Sequence, residues 1–297
     1  MSAPPQPADS PNRPKENVAP IEVASSSSSS SSQSQPSPLI KPSKPFTCLV
    51  VGATGATGRV LVEKLANNPR VERIQALVRR ELADDFFGKL LPANKEKIQT
   101  TVVDFDKLAD HADAFKGYNT AFCTLGTTRA KAGSKEEFRR VDYGYITEAA
   151  RLAKAAGCYH FSLMSTTGAD HTSKLFAYLR VKGEIEQNLM NEAKFPSLSI
   201  FRPGLLLTDR QNETRWGEYL AQKIVPVFHK ILPERNCAVH TQTVAEAMMQ
   251  NAEFVLASVE RENGGVEGAE QLAVSVGASK TNIFENEDIR AMKVAKL

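Results

Sequence analysis

The 297-residue sequence is poor in the residues that build metal centres and disulfide frameworks. Its four cysteines (Cys48, Cys123, Cys158, Cys237) lie far apart with no C-x-x-C, and three sit in or beside apolar segments. Buried free thiols in a reducing compartment are the expectation. Five scattered histidines offer no H-x-x-x-H or H-E-x-x-H spacing, so no metal site is expected. An excess of one charge is also missing. The 37 basic and 34 acidic side chains leave +3, too even for a nucleic-acid surface or a membrane-seeking face. No apolar run approaches membrane-spanning length, so the core is expected to be soluble. A hydrophobic content of 41% is enough for one large domain or two small ones.

Residues 1 to about 45 are rich in proline, carry an unbroken serine run from Ser25 to Ser32, and have few apolar residues. Such a segment buries too little surface to offset its ordering entropy and is expected to be a disordered tail. It opens without a secretory pattern. Asp9, Glu16 and Glu22 argue against a mitochondrial transit peptide, so a cytoplasmic setting is expected.

From Phe46 the chain alternates between strand-like and helix-like stretches. Strands are expected at Phe46 to Val51, Arg73 to Val78, Ile98 to Asp104, Thr120 to Leu125, His160 to Met164 and Ser197 to Phe201. Helices are expected from V-L-V-E-K-L-A after the third glycine to about Asn67, Leu108 to Phe115, Glu136 to Ala156 (closing at Gly157) and Leu175 to Met190, with two more at Tyr219 to Phe228 and Val244 to Val255. This alternation predicts an α/β fold. One doubly wound parallel sheet would carry helices on both faces and bind its ligand at the carboxyl ends of the strands, and elements from about residue 205 would complete the substrate side.

The first strand breaks into V-G-A-T-G-A-T-G-R. Glycines at Gly52, Gly55 and Gly58 let a pyrophosphate approach the backbone at a helix N-terminus, where free N–H groups and the dipole favour an anion. The spacing is a G-x-x-G-x-x-G variant of the dinucleotide fingerprint. The second strand ends L-V-R-R with no carboxylate to meet a ribose 2′-hydroxyl. Arg79 and Arg80, joined by Arg59 at the helix start, point to a 2′-phosphate and hence NADP(H). Asp104, ending the third strand, either meets the adenine amino group or caps a turn.

A second group is Ser165, Tyr178 and Lys182. Y-L-R-V-K puts tyrosine and lysine on one helix face. The ammonium is expected to lower the tyrosine pKa, as proton exchange with a carbonyl or alcohol oxygen requires. Ser165, in S-T-T-G after the fifth strand, would hold the substrate oxygen, with Thr166 as its rival. Arg129, Lys131 and Arg210 either meet an acidic substrate or are ordinary surface cations.

The glycine turn, the serine and Y-x-x-x-K resemble the short-chain dehydrogenase/reductase superfamily. L-G-T-T-R-A-K-A-G, S-T-T-G-A-D, Y-L-R-V-K-G-E-I-E, F-R-P-G-L-L-L-T-D-R-Q, W-G-E-Y-L and the E-N-E-D-I ending are similar to the Tat-interacting oxidoreductase family, an atypical branch of that superfamily. The likeness runs from Phe46 nearly to the C-terminus. It implies an NADPH-binding Rossmann domain with reductase-like residues. In animals it implies protein partners and a cytoplasmic or nuclear-envelope setting, and in fungi the mitochondrial surface. By position it implies that Gly52, Thr54, Gly55, Thr57 and Gly58 cradle the pyrophosphate, and that Arg79 and Arg80 follow the family's second strand. Leu125, Gly126 and Thr127 would pass under the nicotinamide ribose, Lys182 would hold that ribose beside Tyr178, and Arg202, Pro203 and Gly204 would lie beside the nicotinamide. Thr167 and Trp216 depart from the pattern. The expected activity is NADPH-dependent carbonyl or alcohol oxidoreduction by a monomer or homodimer. The competing expectation is an NADPH-gated protein-binding regulator with little catalysis. A sugar-nucleotide epimerase would need a larger C-terminal domain than about 90 residues supply.

Overall fold

β1 (Phe46–Val51) lies mid-sheet, hydrogen-bonded in parallel to β2 (Val71–Val78) on one side and β4 (Thr120–Cys123) on the other. The computed structural model describes residues 44–88, 90–127, 133–208, 238–262 and 280–294. Along β1 the side chains alternate between two cores. Leu49 and Val51 join Phe161, Ile185 and Leu189 on one face, while Cys48 and Val50 join Leu61, Leu65 and Met248 on the other. A strand covered on both faces is apolar throughout, which is why F-T-C-L-V-V shows no polar alternation.

The described sheet has seven parallel strands in the order β3-β2-β1-β4-β5-β6-β9, comprising β3 (Ile98–Val102), β5 (His160–Met164), β6 (Ser197–Arg202) and β9 (Lys280–Glu285) besides those above. The winding direction reverses between β1 and β4. In open α/β sheets ligands bind outside the strand carboxyl ends at such a switch point, which here is just beyond Val51 and Cys123. α1 (Ala56–Ala66) and α6 (Thr241–Glu262) cover one face, with Lys64 Nζ 3.1 Å from Glu246. On the other lie α4 (Ile146–Ala155) and α5 (Ala177–Asn188). Short α2 (Pro92–Lys95) precedes β3, β7 (Leu205–Leu207) and β8 (Ala238–His240) form a parallel pair, and α7 (Asn286–Val294) follows β9.

All six expected strands are present, with ends shifted by up to two residues. The seventh, β9, is new. It reads K-T-N-I-F-E, is mostly exposed at the sheet edge, and pairs with β6 from Ser197↔Lys280 to Arg202↔Glu285. The expected 136–156 helix is α3 (Lys135–Arg139), a π-helical segment (Arg140–Tyr145) and α4. It ends at Gly157, whose φ is +82°. Leu108 to Phe115 belongs to a 3-10 segment (Phe105–Phe115) with irregular backbone at Lys107 and His111. Cys48, Cys123 and Cys158 are buried free thiols. Among the described residues no helix is long and apolar enough to cross a membrane. The expected tail, the Tyr219 to Phe228 helix, Trp216, Arg129, Lys131 and Arg210 lie outside the described residues.

Candidate cofactor and proton-transfer site

The glycines of the turn have different physical duties. Gly52 sits at φ +88°, and a Cβ there would lie 2.6 Å from the Leu125 backbone nitrogen. Gly58 lies where α1 crosses the turn: its Cβ would fall 2.1 Å from Gly52 O and 2.6 Å from Thr124 Oγ1. Gly55 is different. Its Cβ would meet only Gly52 O, at 3.3 Å. It is the exposed N-cap of α1, and no side chain caps that helix. The open approach to uncapped N–H groups fits a pyrophosphate. Thr54 is exposed beside it, and Thr57 Oγ1 is buried with no partner among the described residues.

Beyond the end of β2, Arg79 and Arg80 are exposed. Arg59 Nε donates to Glu63 at 2.9 Å, and its guanidinium stands 5.3 Å from the Phe86 ring centre. Asp104 caps the 3-10 segment by accepting from the Asp106 N–H at 3.0 Å. Of its two expected duties, the structure displays the cap.

At the other end, α5 carries Tyr178 and Lys182 one turn apart on the face turned to the sheet. Lys182 is 4% exposed, and its Nζ lies 2.7 Å from Asp142 Oδ1; Asp142 is fully buried. Asp142 Oδ2 accepts from the Thr127 N–H at 2.8 Å. Gly126 is pressed against the pair, since a Cβ there would lie 3.3 Å from Lys182 Nζ. The loop Leu125–Thr127 runs past Lys182 and Asp142. Tyr178 packs its ring 5.8 Å from Phe138, and the Thr166 side chain is near enough to pull its pKa down through hydrogen bonding. The expected fall in the Tyr178 pKa does not occur. Burial pushes it above 10, and Asp142 adds to that rise, outweighing the lowering by Lys182 and Thr166. The carboxylate compensates the ammonium that was to favour the phenolate, and it holds the Lys182 pKa up against burial.

Ser165 is placed elsewhere. It continues β5 by donating its N–H to Phe201 O at 2.7 Å, and its hydroxyl donates to buried Glu186. Successive side chains of extended chain diverge, so Ser165 and Thr166 meet α5 at points two turns apart. Glu186 also receives Arg202 Nε at 3.1 Å and Nη2 at 2.5 Å, while Arg202 Nη1 reaches Glu285 at 2.9 Å. The Arg202 guanidinium thus clamps α5, β6 and β9 together. The backbone beside it is engaged as well: Arg202 O accepts from Thr167 Oγ1, Pro203 O accepts from the Thr167 N–H, and the Gly204 N–H donates to Asn286.

A family profile described as NAD(P)H-binding matches residues 52–253, which takes in both the glycine turn and the α5 group. Protein HTATIP2 of Rattus norvegicus is 43% identical over 205 residues, covering 68% of this chain and 79% of that one. The chain belongs to the NAD(P)-binding Tat-interacting oxidoreductase family. The chain is also similar to FMP52-1, mitochondrial, of Scheffersomyces stipitis, 37% identical over 62% of this chain and 77% of the relative. FMP52, mitochondrial, of Saccharomyces cerevisiae is 31% identical over 57% and 69%. These names overturn the cytoplasmic expectation, which was drawn from the absence of a leader pattern, and an absence is not an address. Among solved structures the fold is similar to a UDP-N-acetylglucosamine 4-epimerase from Methanobrevibacter ruminantium M1 (TM-score 0.54, 10% identical, 86% of this chain and 100% of that one). It is also similar to MoeE5 in complex with UDP-glucuronic acid and NAD (TM-score 0.53, 17% identical, 80% and 75%). For this family member, two site carboxylates escaped the sequence reading. Asp142 follows Phe138 and precedes Ile146 by four residues, and Glu186 is one turn beyond Lys182. Both sit at helical spacing on faces otherwise buried, and that spacing was the available signal.

Proposed function

We propose that the chain is an NADPH-dependent oxidoreductase that reduces a carbonyl, or oxidises the corresponding alcohol, with Tyr178 as the group that exchanges the proton at the substrate oxygen. The observation that carries this reading is the meeting of Tyr178, Thr166 and Lys182 beside the loop Leu125–Thr127, at the same sheet end as the uncapped start of α1. When bound, NADPH supplies the hydride. A phenol held above 10 stays protonated at neutral pH, which suits an acid waiting for a carbonyl. As Tyr178 gives up its proton, Lys182 and the Thr166 hydroxyl stabilise the oxygen left behind. Thr166, rather than Ser165, is assigned this role because the Ser165 hydroxyl is committed to Glu186. Arg79, Arg80 and Arg59 support NADP(H) over NAD(H), since no acid stands at the end of β2 to meet a 2′-hydroxyl. Thermal-shift titration with NADPH and NADH, followed by a carbonyl screen, tests the reading. Tighter binding of NADPH and carbonyl-dependent consumption support it, and a preference for NADH removes the arginine argument.

A further inference from the structure

We propose that Asp142 is a positioning residue that anchors the Lys182 ammonium to the loop Leu125–Thr127 and thereby governs how readily Tyr178 parts with its proton. The inference deepens the reading of Tyr178 as proton donor. Asp142 sits in the π-helical segment Arg140–Tyr145, an insertion of the kind that gathers at functional sites. It spans two elements, with one oxygen 2.7 Å from Lys182 Nζ on α5 and the other 2.8 Å from the Thr127 N–H beyond β4. Both charged side chains are almost fully buried, so water screens neither.

Among the described residues the groups around Tyr178 are few. Lys182 faces it from its own helix, Asp142 from the π-helical segment, uncharged Thr166 from the loop after β5, and Phe138 from α3. Cys123, at the end of β4 near Lys182, is a thiol pushed up to about 11 by burial and is neutral at physiological pH. Arg139 and Arg180 each pair with Glu184 on the outer side. Among the described residues the local balance is therefore one ammonium and one carboxylate. Ionising Tyr178 sets a second anion against a single cation. With the carboxylate gone, the phenolate itself becomes the counter-ion of Lys182, and the Tyr178–Lys182 pair loses its first proton at lower pH.

Asp142→Asn keeps the shape and an oxygen for the Thr127 N–H while removing the charge. The full chain, without cofactor, is titrated by phenolate absorbance. Its six tyrosines are resolved by subtracting the same titration of the matching Tyr178→Phe protein. The expected result is a Tyr178 onset about one pH unit lower in Asp142→Asn, with Asp142→Glu close to the parent. An onset that is unchanged or higher overturns the proposal. Should Asp142→Asn fail to fold, Asp142→Ser carries the same test with the same expected and overturning results. The titration needs no turnover, so a protein inactive on every carbonyl would remove the oxidoreductase reading and leave this measurement to stand or fall by itself.

Discussion

The hydroxyl of Ser165 donates to Glu186, while that of the next residue, Thr166, serves Tyr178. The two are separable by mutation. Ser165→Ala is expected to retain turnover within a few-fold, at a cost of about 1–2 kcal/mol in stability, because Glu186 keeps Arg202 as a partner. Thr166→Val is expected to lower kcat by about 10²–10³-fold, the usual loss for one donor at a developing oxyanion. Steady-state kinetics on both variants, with urea unfolding of the first, check the pair. The reverse order would return the role to Ser165.

The glycine turn makes a second contrast. Gly58→Ala drives a methyl into backbone and is expected to cost about 3 kcal/mol, read as a drop in thermal midpoint. Gly55→Ala brings its methyl into one tight contact, 3.3 Å from Gly52 O, at an ordinary φ of −72°, so a small shift of the turn should let the fold hold. Its methyl occupies the approach to the α1 N-terminus, and dinucleotide affinity should fall at least tenfold by calorimetry. Equal stability loss in both variants would count against the separate duties assigned here.

Arg79 and Arg80 are exposed, so replacing both with alanine should leave stability unchanged within about 0.5 kcal/mol. Affinity for NADPH should weaken about ten- to a hundredfold, the worth of one or two charge-assisted hydrogen bonds, with NADH affinity unmoved. A parallel loss for both nucleotides would place these arginines away from the 2′-phosphate.

The parallel-sheet framework was legible because each inner strand is buried on both faces and reads as a continuous apolar run between turns. β9 was not. An edge strand needs no apolar run, and K-T-N-I-F-E earns its place by pairing with β6 and through the Glu285–Arg202 contact, neither of which has a local signature. At the site, Gly52, Gly58, Tyr178 and Lys182 were legible from spacing, because their duties follow from backbone geometry and helix periodicity. The duties of Ser165 and Arg202 were not, because each depends on Glu186, a partner brought in by the tertiary fold. Burial likewise reversed the expected direction of the Tyr178 pKa, and Asp142 added to that rise from another element of the chain.

His160 offers a test of the core through pH. It is fully buried, with Nε2 3.0 Å from Ser199 Oγ, and burial drives its pKa from 6.5 down to about 3. Unfolded chain therefore binds a proton that the folded chain refuses between those values. Stability contributed by neutral His160 is complete above about pH 6.5 and drains away as pH falls towards 3, at about 1.4 kcal/mol per pH unit in the middle of that window. Urea unfolding between pH 6.5 and 5, above the main carboxylate range, should show a shallower slope for His160→Gln than for the parent. Identical slopes would contradict the burial of a neutral imidazole.

The most direct test of the central claim is Tyr178→Phe, assayed for carbonyl-dependent NADPH consumption alongside calorimetric NADPH binding. The substitution removes one oxygen and keeps the ring against Phe138. The predicted result is loss of turnover by about 10²-fold or more with NADPH affinity nearly unchanged. Turnover retained at the parent rate would contradict the assignment of Tyr178 as the proton-exchanging group.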